Sequence, residues 1–160
     1  MAGFNEVKYV KFDEFLAQHC EHKDTVKAQY IALLSQLTSA PDVSIEVFEA
    51  NIKQVHKMGI IYIATVGSFE SSDLKIVGSG TAVVEPKLIR GGKSVGHIED
   101  IVTDGNHRGA GIAKKILEML KEYCSANNCY KVILDCDEAV QGVYEKSGFV
   151  VKGLQMGIYL

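Results

Sequence analysis

GHIEDIVTDGNHRGAGIAKKIL, residues 96–117, joins an apolar segment, a short turn, a glycine-rich loop and an amphipathic helical pattern. Gly109 and Gly111 allow the backbone to approach a ligand where a Cβ atom would collide. The first N–H groups of the helix that follows have no intrahelical partner and lie at the positive end of its dipole, so they favour an anion such as phosphate. Three cations add positive charge beside this loop: Arg108, Lys114 and Lys115. The stretch therefore indicates a phosphate-binding helix start, against the alternative of an ordinary glycine-rich turn.

Two common phosphate loops do not fit this sequence. The dinucleotide pattern G-x-G-x-x-G, begun at Gly109, places Lys114 where the third glycine belongs. Gly92-Lys93-Ser94 copies the end of a Walker loop, but Lys87 occupies the position of its earlier glycine. Neither loop is therefore predicted.

Length predicts a single domain, and net charge argues against non-specific nucleic-acid binding. A chain of 160 residues and 17.5 kDa predicts a single domain, 1–160, with a sizeable core. A net charge of −3 argues against non-specific nucleic-acid binding, which needs a concentrated basic surface. Phosphate recognition must therefore depend on local charge.

The termini and cysteines favour a cytoplasmic protein. The N-terminal MAGFNEVKYVKFDEF carries acidic residues and no signal-peptide core, and no uncharged run approaches a membrane span, although an organelle address stays open. The four cysteines show no C-x-x-C spacing, so we expect free thiols, mostly buried, in a reducing compartment. The run His19-Cys20-Glu21-His22 lacks a second ligand pair, so no metal site is predicted.

The hydrophobic pattern predicts alternating strands and helices. Strands are expected at 7–12, 60–66, 76–84, 95–102 and 130–137, and a last strand begins at 149–151. Helices are expected from a cap at Asp24 to before Pro41, from Asp42 or Ser44 to Gly59, at 111–127, and at 138–147 before Gly148. Residues 86–94 are expected to form a loop, whose basic residues are Lys87, Arg90 and Lys93. This order predicts an α/β fold with a mixed sheet and helices on both faces.

Four motifs carry a family resemblance. RGAGIA at 108–113 resembles the acyl-CoA pyrophosphate loop of the GNAT acetyltransferases, (Q/R)-x-x-G-x-(G/A). GHIEDI at 96–101, CYKVILDCDE at 129–138 and VYEKSGF at 143–149 resemble the GNAT members that acetylate glucosamine 6-phosphate. The resemblance implies the GNAT fold, with a mixed, mostly antiparallel central sheet and a splayed central strand pair. The ends of 98–102 and 132–137 would then face each other across the site.

The resemblance also implies a reaction and its catalytic residues. The acetyl group of acetyl-CoA would pass to the 2-amino group of glucosamine 6-phosphate, by direct attack in a ternary complex and as a step toward UDP-N-acetylglucosamine. Glu99 is our expected base, directly or through water, and Asp100 would orient the sugar. Both side chains can enter the site only if a bulge re-aims one of them. Asp135 would hold the amine, and Tyr144 would protonate the leaving thiolate.

The binding residues implied by the resemblance form two sets. For acetyl-CoA they are Glu99, Asp100, Ile101 with its backbone N–H, Arg108, Gly109, Ala110, Gly111, Ile112, Ala113, Lys114 and Tyr144. For the sugar phosphate they are Thr38, Lys87, Leu88, Ile89, Arg90, Glu99, Asp100, Lys131 and Asp135. Tyr159 stands where the family would have an arginine, so Arg90 or Lys131 must compensate, or phosphate affinity falls.

Alternative interpretations stay open at this point. Without the resemblance, Glu99 and Asp100 fit an exposed strand end, and Tyr144 fits core packing. The chain could instead acetylate another small amine or a peptide, work through an acetyl-Cys136 if a base such as His97 lies near, or bind acyl-CoA without catalysis. The resemblance also implies a homodimer joined through the C-terminal strand, and the apolar residues of 150–160 suit that role.

Overall fold

The structure is a computed structural model that describes residues 6–160. The first five residues belong to the N-terminal segment that is predicted to lack a signal-peptide core, and they lie outside the described residues. Its strands are β1 (Lys8–Lys11), β2 (Gly59–Val66), β3 (Lys75–Glu85), β4 (Ser94–Thr103) and β5 (Cys129–Ile133). Its helices are α1 (Phe12–Gln18), α2 (Lys23–Leu34), α3 (Ile45–Met58), α4 (Ile112–Ala126) and α5 (Gln141–Glu145). The sheet order is β1-β2-β3-β4-β5, and only the β4–β5 pair is parallel. The mixed, mostly antiparallel sheet is therefore confirmed.

Two hydrophobic layers cover the two faces of the sheet. Ile61 and Ile63 of β2 pack with the apolar residues of α1, α2 and α3. Ile60 and Ala64, which alternate with them, pack with the buried face of α4. The predicted placement of helices on both faces is confirmed, because the period of two along β2 supplies apolar side chains to each layer.

Local sequence explains the start of α3 but not the bounds of α2. Ser44, rather than Asp42, caps α3, because its hydroxyl accepts the Val47 N–H at 3.3 Å. The predicted Asp24 cap is wrong, since α2 begins at Lys23. The helix also ends at Leu34, where i→i+3 bonds tighten the chain, so Leu37 lies outside it with 46% of its surface exposed.

Gly59 ends α3 for a packing reason. Its φ of −174° is extended, so the residue passes directly into β2. A Cβ atom there would lie 1.9 Å from the carbonyl oxygen of Ala82 on β3. The close approach of β3 therefore requires glycine.

Three predictions near the C-terminus need correction. The strand predicted at 130–137 ends at Ile133, where its pairing with β4 stops. The helix predicted at 138–147 is a 3-10 turn, Glu138–Val140, followed by α5. The last strand predicted from 149 is wrong for this chain: residues 149–160 form no strand, because no strand edge pairs with them in the described chain.

Three further features of the described residues concern the cysteines, the length of the helices and the metal-ligating side chains. All four thiols are free, but Cys20 and Cys136 are exposed, so the expected burial holds for Cys124 and not for those two. In residues 6–160, no helix has the length and apolar character needed to cross a membrane. The same residues contain no cluster of three or more His, Cys, Asp or Glu side chains arranged to hold a metal ion.

Candidate active site

The parallel strands β4 and β5 part at one end. Their pairing runs from Ser94 opposite Cys129 to His97 opposite Ile133 and then stops. β4 continues to Thr103 without a β5 partner. Beyond this last pair the two strands diverge and leave an opening in the sheet. The expected site residues of β4 and of the segment after β5 follow on either side of it.

A β-bulge lies at the mouth of this opening. Glu99 pairs with Thr81, and Val102 pairs with Ser79, so Asp100 and Ile101 together face Gly80. Asp100 adopts a φ of 52°, in the left-handed region that few side chains enter. The structure therefore contains the bulge that is needed for the adjacent side chains of Glu99 and Asp100 to point to the same face of the sheet.

Gly80 makes room for the bulge. A Cβ atom on Gly80 would lie 2.5 Å from Cδ1 of Ile101 and 2.7 Å from Cγ2 of Ile116 on α4. The bulge therefore depends on contacts with the neighbouring strand and helix, which the local sequence of β4 does not contain.

Three carboxylates interact at this end of the sheet. Although Glu99 as a whole is exposed, the packing around its carboxylate raises the pKa of that group. The negative charges of Asp100 and Asp135 raise its pKa further, and His97 opposes them. The structure therefore brings together Glu99, Asp100 and Asp135, which are expected to act as base, to orient the sugar and to hold the amine.

Asp135 also contacts the C-terminal segment, residues 149–160. The side-chain amide of Gln155 donates a hydrogen bond to Oδ2 of Asp135 at 2.8 Å. The sequence motifs did not single out Gln155. The contact brings the C-terminal segment to the carboxylate edge of the opening.

The glycine-rich loop has the conformation that an anion site needs. Gly109 and Gly111 both have a φ of 79°, and a Cβ atom at either position would meet no atom within 4 Å. The face of the loop is thus open. The first α4 hydrogen bond runs from the Lys115 N–H to the Gly111 carbonyl, which leaves the preceding amides of the first turn without helical acceptors.

The side chains around this loop fit an acyl-CoA pyrophosphate. The first turn of α4 contains no acidic residue, and Arg108, Ala110 and Lys114 are exposed beside it. Ile112 is buried in the α4 layer and so anchors the helix start to the sheet. The loop is therefore fixed on its protein side and open on the other.

Asp104 anchors the entry to the loop, a role that the sequence analysis missed. Its carboxylate accepts the Asn106 N–H at 3.1 Å, His107 Nδ1 lies 2.7 Å away, and the Gln36 side-chain amide donates to it at 2.8 Å. Gln36 also accepts the Gly105 N–H at 2.9 Å. These bonds tie the segment after α2 to the end of β4. They therefore place the exposed Thr38 in the chain segment that adjoins this end of the sheet.

The expected sugar-phosphate residues divide into two groups. Lys87 is paired with Glu85, which also hydrogen-bonds Nε2 of His97 at 2.8 Å. Leu88 and Ile89 are exposed in the loop that follows. Arg90 and Lys131 instead lie beside one aromatic ring, that of Tyr130. The structure therefore places Arg90 and Lys131 at one ring and gives Lys87 a carboxylate partner.

Tyr144 lies on α5, the helix that follows β5, and packs against the hydrophobic layer of α4. Its ring packs edge-on against Phe149 with centroids 6.2 Å apart. Burial, with a smaller contribution from Cys136, raises the pKa of Tyr144, so the phenol keeps its proton at neutral pH. Cys136 is exposed, while His97 is engaged by Glu85.

The α/β architecture, the open glycine loop and the carboxylates at the parted strands define an acyl-CoA-dependent transferase. The chain belongs to the acetyltransferase (GNAT) family, whose model matches residues 43–149. Acetyl-CoA is the acetyl donor of this family.

Three proteins that are similar to this chain are named glucosamine 6-phosphate N-acetyltransferases. Glucosamine 6-phosphate N-acetyltransferase 1 of Dictyostelium discoideum is 42% identical over 131 residues, which cover 82% of each chain. Glucosamine 6-phosphate N-acetyltransferase of Trypanosoma brucei brucei is 40% identical over 133 residues, 83% of this chain and 88% of that one. The crystal structure of glucosamine-6-phosphate N-acetyltransferase from Arabidopsis thaliana superimposes with a TM-score of 0.80 at 33% identity, covering 96% of this chain and 98% of that chain.

The first prediction concerns charge at the glycine loop. Asp and Asn have similar size and both tolerate the left-handed region, so Gly111→Asp and Gly111→Asn differ mainly in charge. We expect Gly111→Asp to bind acetyl-CoA about tenfold or more weakly than Gly111→Asn, measured by calorimetry, because it adds an anion beside the pyrophosphate. Equal dissociation constants for the two folded variants would contradict a pyrophosphate site here.

The second prediction concerns the Glu99 carboxylate. In an NMR titration of carboxyl carbons, Glu99 should titrate above the ordinary glutamate value of about 4.3. Asp135→Asn should lower its pKa, because the substitution removes a negative charge that favours protonation. Asp137→Asn serves as the control, since Asp137 does not contribute to the raised pKa of Glu99. The same shift in both variants would contradict the assigned pair.

Proposed function

We propose that this protein transfers the acetyl group of acetyl-CoA to the 2-amino group of glucosamine 6-phosphate. The observation that carries the proposal is the convergence of the RGAGIA helix start and three carboxylates on the opening between β4 and β5. The names and 40–42% identities of the relatives support this acceptor. A second function is not favoured by any feature of the site.

Glu99 and Asp135 prepare the amine for attack. An ammonium group has no lone pair, so the acceptor must lose a proton before or during the reaction. Glu99 takes this proton, directly or through a water molecule, and its raised pKa makes it a better base than an ordinary glutamate. Asp135 accepts a hydrogen bond from the amine and orients it, and Asp100 orients the sugar.

The bulge provides a donor for the developing oxyanion. Because Asp100 and Ile101 face a single residue of β3, the regular ladder of hydrogen bonds is interrupted here. The N–H of Ile101 then donates to the acetyl oxygen as its negative charge increases. A preorganised donor of this kind stabilises the transition state without reorganisation.

Tyr144 supplies the proton for the leaving thiolate. A thiol has a pKa near 8.5, so a phenol with a pKa at or above 10 holds its proton at neutral pH and donates a hydrogen bond as the thiolate forms. The amine attacks the thioester directly, with both substrates bound. No hydrogen bond joins His97 to Cys136 in residues 6–160, so the structure gives an acetyl-Cys136 intermediate no support.

Arg90 and Lys131 bind the phosphate in this proposal, and Thr38 approaches the sugar from the segment after α2. Neither cation forms an ion pair within residues 6–160, whereas Lys87 does. Two cations without carboxylate partners favour an anionic group on the substrate.

We also propose a homodimer formed through the C-terminal segment. Its side chains are almost fully exposed, with Leu154 at 97% and Ile158 at 84% of their surface. An extended apolar segment of this length requires a partner, and a second copy of this chain is the partner that a symmetric pairing provides. Gln155, which contacts Asp135, places the segment beside the site.

The third prediction tests the acceptor. With acetyl-CoA and a panel of glucosamine 6-phosphate, glucosamine, other amino sugars and lysine peptides, mass spectrometry should find acetylation mainly of glucosamine 6-phosphate. A preference for another amine would support a different GNAT specificity. Binding of acetyl-CoA with no acetylated product would support a non-catalytic module.

The fourth prediction concerns Tyr144. Tyr144→Phe should lower kcat by roughly 10²-fold while leaving the KM for glucosamine 6-phosphate nearly unchanged, because the hydroxyl acts on the leaving group. Tyr62→Phe is the control, since Tyr62 lies on β2, away from the opening. Near-normal kcat in Tyr144→Phe, with chemistry rate-limiting, would return Tyr144 to a packing role.

The fifth prediction concerns the quaternary state. Light scattering should give the mass of a dimer, and Leu154→Ser/Ile158→Ser should shift the population toward monomer by removing apolar area from the interface. Leu88→Ser, which removes an equally exposed leucine from a loop, is the control. A monomeric wild-type protein at assay concentration would refute the dimer and leave the acceptor proposal standing.

A further inference from the structure

Tyr130 occupies an irregular position in β5. Ser94 pairs with Cys129, but the next residue of β4, Val95, pairs with Lys131. Tyr130 is therefore the extra residue of a bulge and has no partner on β4. Bulges re-aim a side chain away from the regular alternation of a strand, so the direction of this ring is set by the bulge.

Two cations lie against this ring. The guanidinium carbon of Arg90 is 5.7 Å from the ring centroid, and the ammonium nitrogen of Lys131 is also 5.7 Å from it. Both distances lie within the range of cation–π attraction. Arg90 comes from the loop between β3 and β4, and Lys131 comes from β5, so one ring links two separate segments.

The backbone around Arg90 supports this contact. Arg90 has a φ of 57°, which is uncommon for a residue with a long side chain, and Gly91 follows with a φ of 68°. The Ser94 N–H donates to the Asn128 carbonyl at 3.1 Å, which ties the end of this loop to the start of β5. The loop is thereby held where Arg90 reaches Tyr130.

Lys131 lies on the face of the sheet that carries the carboxylates. Pairing of Val95 with Lys131 and of His97 with Ile133 puts these residues on one face, and Glu99 follows on that face by alternation. Asp135 lies four positions beyond Lys131, about 13 Å along an extended chain, and the flexible lysine stem can shorten that span. A sugar phosphate held by its amine at Asp135 therefore extends toward these cations.

We propose that Tyr130 is a positioning residue for substrate specificity: its ring holds Arg90 and Lys131 together against their mutual repulsion, so that both charges face the phosphate of the acceptor. The proposal rests on the proposed function. Without the ring, the two like charges separate into solvent, and the phosphate loses an organised partner while the acetyl-transfer chemistry is untouched.

The test compares Tyr130→Leu with Tyr130→Phe, using glucosamine 6-phosphate and unphosphorylated glucosamine as acceptors. Tyr130→Leu should raise the KM for glucosamine 6-phosphate about tenfold, with kcat and the KM for acetyl-CoA near the wild-type values. Tyr130→Phe keeps the ring face and should restore wild-type behaviour. Lys93→Ala, which removes a cation of the same loop that does not lie at the ring, should have little effect.

Two further measurements separate the ring from a general structural role. In an Arg90→Ala/Lys131→Ala background, Tyr130→Leu should cause no additional loss, because the ring acts through those cations. Replacing Tyr130 by phenylalanines with increasing fluorination should raise the KM for glucosamine 6-phosphate stepwise, since fluorine weakens the negative face of the ring at nearly constant shape. The fluorinated series also decides the question if Tyr130→Leu does not fold.

The outcomes distinguish this inference from the proposed function. If Arg90→Ala/Lys131→Ala loses the preference for the phosphorylated sugar but Tyr130→Leu and the fluorinated variants keep it, the role of Tyr130 is refuted and the function stands. If Tyr130→Phe is as impaired as Tyr130→Leu, the hydroxyl and not the ring is responsible, and the inference fails. If the wild-type protein does not prefer glucosamine 6-phosphate to glucosamine, the proposed function and this inference both fail.

Discussion

The short parallel pairing of β4 with β5 is the constraint on which the site depends. The two strands share pairs only from Ser94 and Cys129 to His97 and Ile133. Tight packing holds this region, since a Cβ atom on Gly96 would lie 2.4 Å from Sγ of the buried Cys124 on α4. Beyond it the strands part. Their free backbone groups then become available to substrates, because an unpaired N–H or C=O group must find another partner.

In the proposed function, bulges on the two strands serve the two ends of one substrate. The bulge at Asp100 and Ile101 brings both carboxylates of β4 to the opening and interrupts the ladder at the expected oxyanion donor. The bulge at Tyr130 places an aromatic ring within 5.7 Å of both Arg90 and Lys131. Negative side chains thus lie where an amine must be held and deprotonated, and cations lie where a phosphate needs opposite charge. This distribution of charge is the one that the proposed amino-sugar phosphate acceptor requires.

The cofactor side of the site follows a different principle. It combines a helix start and left-handed glycines with the exposed cations Arg108 and Lys114, and the positive end of the α4 dipole lies behind the loop. Asp104 fixes the chain just before this loop through Gln36 and His107. The network connects the segment after α2 to the chain that enters the glycine-rich loop.

The sequence alone determined the features that depend on neighbours along the chain. The RGAGIA loop, the amphipathic α4 and the alternation of β2 follow from local spacing. The motifs around Glu99, Asp135 and Tyr144 identified candidate site residues, and the roles of these residues stay a prediction. Ser44 as the cap of α3 was one of two predicted choices, because side chains that cap a helix bond within three residues.

Only the tertiary structure decided the features that depend on contacts between distant segments. The bulge at Asp100 requires Gly80 on another strand, and the early end of β5 is set by where β4 stops pairing. The ring of Tyr130 meets Arg90 across a gap of forty residues, and Gln36 reaches Asp104 across 68. The last segment, 149–160, has strand-like sequence yet forms no strand, because a strand exists only beside a partner and this chain provides none in residues 6–160. Local sequence specifies conformational preference, whereas register, bulges and strand ends are properties of pairing, which the chain acquires only when it folds.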